Sequence, residues 1–179
     1  MKALRTIRLD TSDTFVFETA AEPGEWAVSG GFVFASVDPS TLTGKARAQF
    51  RSGFLGVRSL GWSTLVEIVE TNEEERARAV DMLAQHLKER FGAPNLEIAR
   101  AAAEEEIDFA ASLAEHPMGR LAAVSRSVEA GSIRETFRSL RPAANRPPSA
   151  FAFLRPSDEE DEVPTEHVDL TNLAKRAPR

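Results

Sequence analysis

The side chains that carry most enzyme chemistry are scarce in this chain. It has three histidines, no cysteine and no tyrosine. Without cysteine there is no thiolate nucleophile, no disulfide, no iron–sulfur ligation and no thiolate zinc site. Without tyrosine one common proton donor is missing. His86, His116 and His167 stand far apart in sequence, so a histidine metal site needs the fold to gather them. His86 with Glu89, and Glu105 with Asp108, are three residues apart, a spacing that describes a solvated helix face as well as it describes paired ligands. Neither GxSxG nor HExxH occurs. Thr43-Gly44-Lys45 is the nearest approach to a phosphate loop, and it lacks the upstream glycines. His116, just before Pro117, is the one titratable group at a helix–strand junction, and a helix-end cap is the favoured account of it. No catalytic residue, metal ligand or cofactor is therefore assigned.

Binding chemistry is better represented. Arg120, Arg126, Arg134, Arg138 and Arg141 surround Glu129-Ala130-Gly131. A guanidinium favours bidentate contact with carboxylate or phosphate. Arg126, Arg134 and Arg138 share a face in one strand register and not in another. An acidic partner suits them, and so does the chain's own acidic run Asp158–Glu162; a plain solvated face is the third reading. Phe151, Phe153 and Leu154 form an isolated apolar cluster within a proline-rich stretch. They would dock on their own domain or on a partner.

Charge and hydropathy narrow the class. Twenty-two basic residues against 28 acidic ones leave a net charge of −6, which disfavours a nucleic-acid-binding surface. No apolar run approaches the roughly 18 residues that span a bilayer. The start, MKALRTIRLD, lacks the apolar core of a signal peptide. A soluble cytoplasmic protein is expected, with neither nucleic acid nor membrane as partner.

The elements that must position these residues are organised around Phe54–Gly92. Trp62–Val69 alternates as a strand, with Trp62, Thr64, Val66 and Ile68 on one face. Thr71, with Glu74 three residues on, predicts a capped helix start. Val80, Leu83, Leu87 and Phe91 make one apolar stripe, and Gly92 with Pro94 stops the helix. A second long helix is predicted over about 95–116, its stripe rich in alanine. A short one is predicted over about 41–52. Residues 3–9 and the alternation around Phe15 and Phe17 predict a hairpin. Trp26–Ala35 predicts a strand broken by Gly30-Gly31, where a bulge or a close backbone approach is expected. Residues 120–128 and 132–141 predict a second hairpin. Strands and helices are grouped, so the expected class is α+β: a largely antiparallel sheet packed by two long helices and one short one. A single domain over 1–141 and a disordered Pro-rich, acidic tail over 142–179 complete the expectation.

The segments LRTIRLDTSDTFVFE (4–18), GEWAVSGGF (24–32), LTGKARAQFRSGFLG (42–56), GWSTLVEIVE (61–70) and EEEIDFAASLAEHP (104–117) resemble a family of small proteins of unknown function from alphaproteobacteria. The resemblance covers about residues 1–141 and carries no assigned activity. It implies a gene neighbourhood with accessory genes of molybdenum-dependent formate-dehydrogenase-like enzymes and a biotin/lipoate-ligase-like protein.

Two readings follow. The first is a non-catalytic cytosolic accessory protein that binds an unidentified protein partner through the arginine hairpin and the tail. Its candidate residues are Arg126, Arg134, Arg138, Phe151, Phe153 and Leu154. The alternative is a small-molecule-binding domain or small enzyme with a site near Gly30-Gly31, Trp62 and His116. Homodimerisation through an exposed strand edge is compatible with either.

Overall fold

A computed structural model describes residues 1–142 and 154–156 of the chain. The elements run β1 (Lys2–Thr6), α1 (Ser12–Val16), β2 (Ala27–Val28), α2 (Gly44–Ser52), β3 (Phe54–Gly56), β4 (Trp62–Ser63), β5 (Leu65–Glu70), α3 (Glu73–Arg90), α4 (Leu96–Leu113), β6 (Leu121–Glu129), β7 (Ser132–Pro142) and β8 (Leu154–Pro156). Short 3-10 turns lie at Gly31–Phe34 and Pro39–Thr41. One sheet has the order β1-β5-β6-β7-β8 and a smaller one the order β2-β3-β4; every strand pair within them is antiparallel. The fold is α+β, and no helix among the described residues is long and apolar enough to cross a membrane.

The segment expected as one strand, Trp62–Val69, is two strands in two sheets. Trp62 and Ser63 pair with β3, whereas Leu65 onward pairs with β1 and β6. The break at Thr64 is held by Asp13, whose buried carboxylate accepts the Thr64 hydroxyl at 2.6 Å. That contact also explains why the chain around Phe15 and Phe17 is a helical turn and not the expected strand. A strand would put both phenylalanines on one face. Here Phe17 is fully buried while Phe15 is 73% exposed.

The strand expected over Trp26–Ala35 stops at Val28. Gly30 turns the chain with φ +78°, and a Cβ there would sit 2.8 Å from Leu55 Cβ and 3.0 Å from the Trp62 ring. Only glycine accepts both the left-handed backbone and the contact. The 3-10 turn that follows seats Phe34 against Phe50 and Trp62, with ring centroids 5.2 and 5.4 Å away. The expected close approach is there, and the strand is not.

Helix α3 starts one residue later than the Thr71 cap implied. Asn72 is the cap, its side chain accepting from Glu75 N–H at 2.9 Å, while Thr71 Oγ1 bonds the Glu75 carboxylate at 2.8 Å. Val80, Leu83 and Leu87 are buried as the stripe required, each contributing about 1.5–3 kcal/mol, whereas Phe91, expected at its end, is exposed. Helix α4 is capped by Asn95 and ends at Leu113, short of His116. Its Ala99, Ala103 and Ala110 are fully buried, so α4 lies close to its neighbours, while Leu96 at its first turn is exposed. Strands β6 and β7 form the expected hairpin. A two-residue turn of Ala130 (φ 50°) and Gly131 (φ 79°) joins them, the left-handed pair that matches strand twist. The sheet then takes in part of the expected tail: β7 runs through Pro142, and Leu154–Pro156 returns as β8 along its edge.

Candidate functional site

The β6–β7 hairpin carries most of the candidate residues, and its register separates them. Arg126 pairs across with Glu135, Ser127 with Arg134, and Ala123 with Arg138. Successive residues alternate faces, so Arg126 points to the inner face while Arg134 and Arg138 point outward. Of the two registers the sequence left open, the one observed separates the three; a shift of one residue would have put them on one face.

On the inner face Arg126 is a structural anchor. Its side chain is completely buried. Nε donates to Glu135 Oε1 at 2.5 Å, and Nη1 donates to the carbonyls of Phe50 at 3.1 Å and Gly53 at 2.8 Å. Nη2 donates to the Ser29 carbonyl. The Ser29 hydroxyl lies 2.9 and 3.0 Å from the two Glu135 oxygens and accepts from Gly31 N–H at 3.2 Å. A single guanidinium thus ties the hairpin to the end of α2 and to the glycine turn. A charge so placed is tolerated only because its donors are matched. Burial depresses the Arg126 pKa, with Glu135 opposing that shift.

Glu106 of α4 completes the cluster. Burial first, and repulsion from Glu135 second, push its pKa up to about 7, while Arg126 pulls it back. A carboxyl near neutrality suits proton transfer. However, neither the α2–β6 groove nor the cleft beside Trp26 described below is lined by Glu106, Glu135 or Arg126. The group supports the core. Sequence reading passed over Ser29, Glu106 and Glu135, although two signals existed. Glu106 interrupts the helical spacing Ala103, Ala110, and Glu135 interrupts the alternation Ile133, Phe137.

The outer face is open. Arg134 and Arg138 are exposed; Arg134 holds Glu129 at 2.7 Å, and Arg138 makes no ion pair among the described residues. Beside them, α2 and β6 enclose a groove of about 500 Å³ lined by Gly44, Arg47, Ala48, Arg51, Ser52, Val124 and Ser125. Arg47 and Arg51, one helical turn apart, are exposed and make no ion pair among the described residues. No acidic side chain lines the groove. A second cleft of about 350 Å³ beside Trp26 is different. Each of its cations is held by an acid: Arg5 by Glu75 at 2.6 Å, Arg78 by Glu74 at 3.2 Å, and Arg58 by Glu22.

The alternative site does not assemble. Gly30 and Trp62 do meet, but in the core, where Trp62 is buried. His116 is exposed beyond α4, its carbonyl accepting from Lys2 Nζ at 2.7 Å. That places it at the Lys2–Glu70 end of the β1–β5 pair, with Trp62 beyond the opposite end. The six residues of β5 separate the two by about 20 Å. Among the described residues, no group of three or more His, Asp or Glu side chains is placed to hold a metal ion. Phe151 and Phe153 lie outside the described residues, as do His167 and the acidic run; Leu154 opens β8, its backbone opposite Pro142.

The chain belongs to the family of unknown function DUF6505, whose model matches residues 1–153, through β7 and as far as Phe153. No curated protein and no solved structure matches it.

Proposed function

We propose that this member of the DUF6505 family is a non-catalytic accessory protein that docks an acidic segment of a partner protein across the α2–β6 groove and the outer face of β7. The observation that carries the reading is the groove itself: among the described residues its two arginines make no ion pair and no acid lines it, on a chain whose net charge is −6. The local positive field is therefore not a by-product of bulk composition. Arg138 extends it across the outer face. Exposed arginines in this state keep their bidentate donors for a carboxylate arriving from outside. Any one such pair is worth about 0–1 kcal/mol, so specificity rests on several being met together.

The finer form of the proposal takes its partner from the resemblance: a redox enzyme of the molybdenum-dependent formate-dehydrogenase type, with this protein serving its maturation in the cytoplasm. The open outer face supports a protein partner and is neutral on which one.

The test is native affinity isolation from the source cell with the full chain as bait, quantified by mass spectrometry. Wild type is compared with R47E/R51E and with R138E, each checked by circular dichroism. A stoichiometric partner that falls by about tenfold or more in the folded variants, and weakens with salt, is the expected result. A partner retained equally by all three baits, or none with wild type, ends the reading.

A further inference from the structure

Strand β7 is paired with β6 from Ser132 to Leu140, but β8 covers its other edge only at Leu140–Pro142. The two-residue turn closes on the Glu129–Ser132 pair, so residues of β7 alternate in the direction of their backbone groups. Arg134, Thr136 and Arg138 bond to β6. Ile133, Glu135 and Phe137 direct theirs to the far side, where they meet no strand among the described residues. An edge left in this state is a template for another strand.

The register of β8 says which residues come next. Pro156 faces Leu140, Arg155 faces Arg141 and Leu154 faces Pro142. Carried two residues further, the same register sets Asp158 opposite Arg138. Carried four, it sets Glu160 opposite Thr136, diagonal to both Arg138 and Arg134. Opposite residues of an antiparallel pair point to the same face, where unlike charges attract. In that register the acids at even positions would fall on the arginine face.

We propose that the open edge of β7 is a docking site for the chain's own segment Asp158–Glu160, added as a continuation of β8. Three observations converge: among the described residues the edge is uncovered and Arg138 has no other ionic partner, and the register is set by three pairs. The same register limits the extension. It sets Asp161 opposite Glu135, a like-charge pair beside the raised carboxyl of Glu106, so pairing stops before Asp161. The docking needs no second protein. Its consequence, that this segment competes for Arg138 with an acidic partner, rests on the function proposed above.

Amide hydrogen exchange of the full chain tests it residue by residue. The Phe137 amide is expected to be protected about tenfold or more, while Ile133, beyond the limit, exchanges freely. R138E removes the protection, and D158K in the same chain restores it. A freely exchanging Phe137 amide in wild type overturns the proposal, and so does a charge swap that restores nothing. Protection that rises with protein concentration assigns the edge to a second copy and overturns it too. Because no partner is present, these outcomes are independent of the isolation experiment above.

Discussion

Arg126 and Arg138 lie on adjacent strands of one hairpin, and burial puts them to opposite uses. The Arg126 side chain is fully buried, with Glu135 and three backbone carbonyls as acceptors. Arg138 is exposed and has no ionic partner among the described residues. The difference teaches that an arginine's role follows from which of its donors are already taken. On the inner face the guanidinium holds four segments of chain together and has little left to offer a ligand. On the outer face the same group is unspent. The contrast recurs between the two clefts: the one beside Trp26 has its cations matched by Glu22, Glu74 and Glu75, and among the described residues those of the groove beside α2 have no acid.

The largest expected effect breaks the inner face. Arg126→Met leaves Glu135 without its cation and three buried carbonyls without a donor, at a cost of about 3–5 kcal/mol in urea denaturation. Pairing it with Glu135→Leu should recover part of that loss, since the orphaned carboxylate goes too. A loss under about 1 kcal/mol for the single variant would mean the anchor is dispensable.

Smaller, and visible through pH, is Glu106. Its folded pKa of about 7 stands above the ordinary 4.5. The folded state thus holds the proton more tightly than the unfolded one, and stability falls as pH rises between those two values, then levels off. Glu106→Gln should flatten this slope and stabilise the protein at pH 8 by about 1–2 kcal/mol after solvent screening. An unchanged pH profile in the variant would mean that Glu106 titrates normally. Smallest is the outer face: Arg138→Ala should move stability by no more than about 0.5 kcal/mol. A larger loss would blur the contrast between the faces and give Arg138 a structural role.

What could be read without coordinates was whatever repeats locally. The buried side of α3 followed from Val80, Leu83 and Leu87 at helical spacing, and the β6–β7 hairpin from alternation around Glu129-Ala130-Gly131. The close approach at Gly30 was legible because paired glycines in an apolar run have few other reasons to be there. Family membership also came through, carried by segments spread from residue 4 to residue 117 and then matched over 1–153. Two of the misreadings share one cause. The turn at Phe15–Phe17 and the break at Thr64 depend on Asp13 reaching a hydroxyl 51 residues away, and no local pattern contains that contact.

The sequence by itself determined the α+β class, the two long helices and the hairpin, because side-chain periodicity and capping act over a few residues and need no distant partner. Only the tertiary structure decided which arginines are free. That choice depends on strand register, where a shift of one residue exchanges the two faces. It depends as well on carbonyls at Ser29, Phe50 and Gly53, which belong to the backbone and are invisible in any residue code.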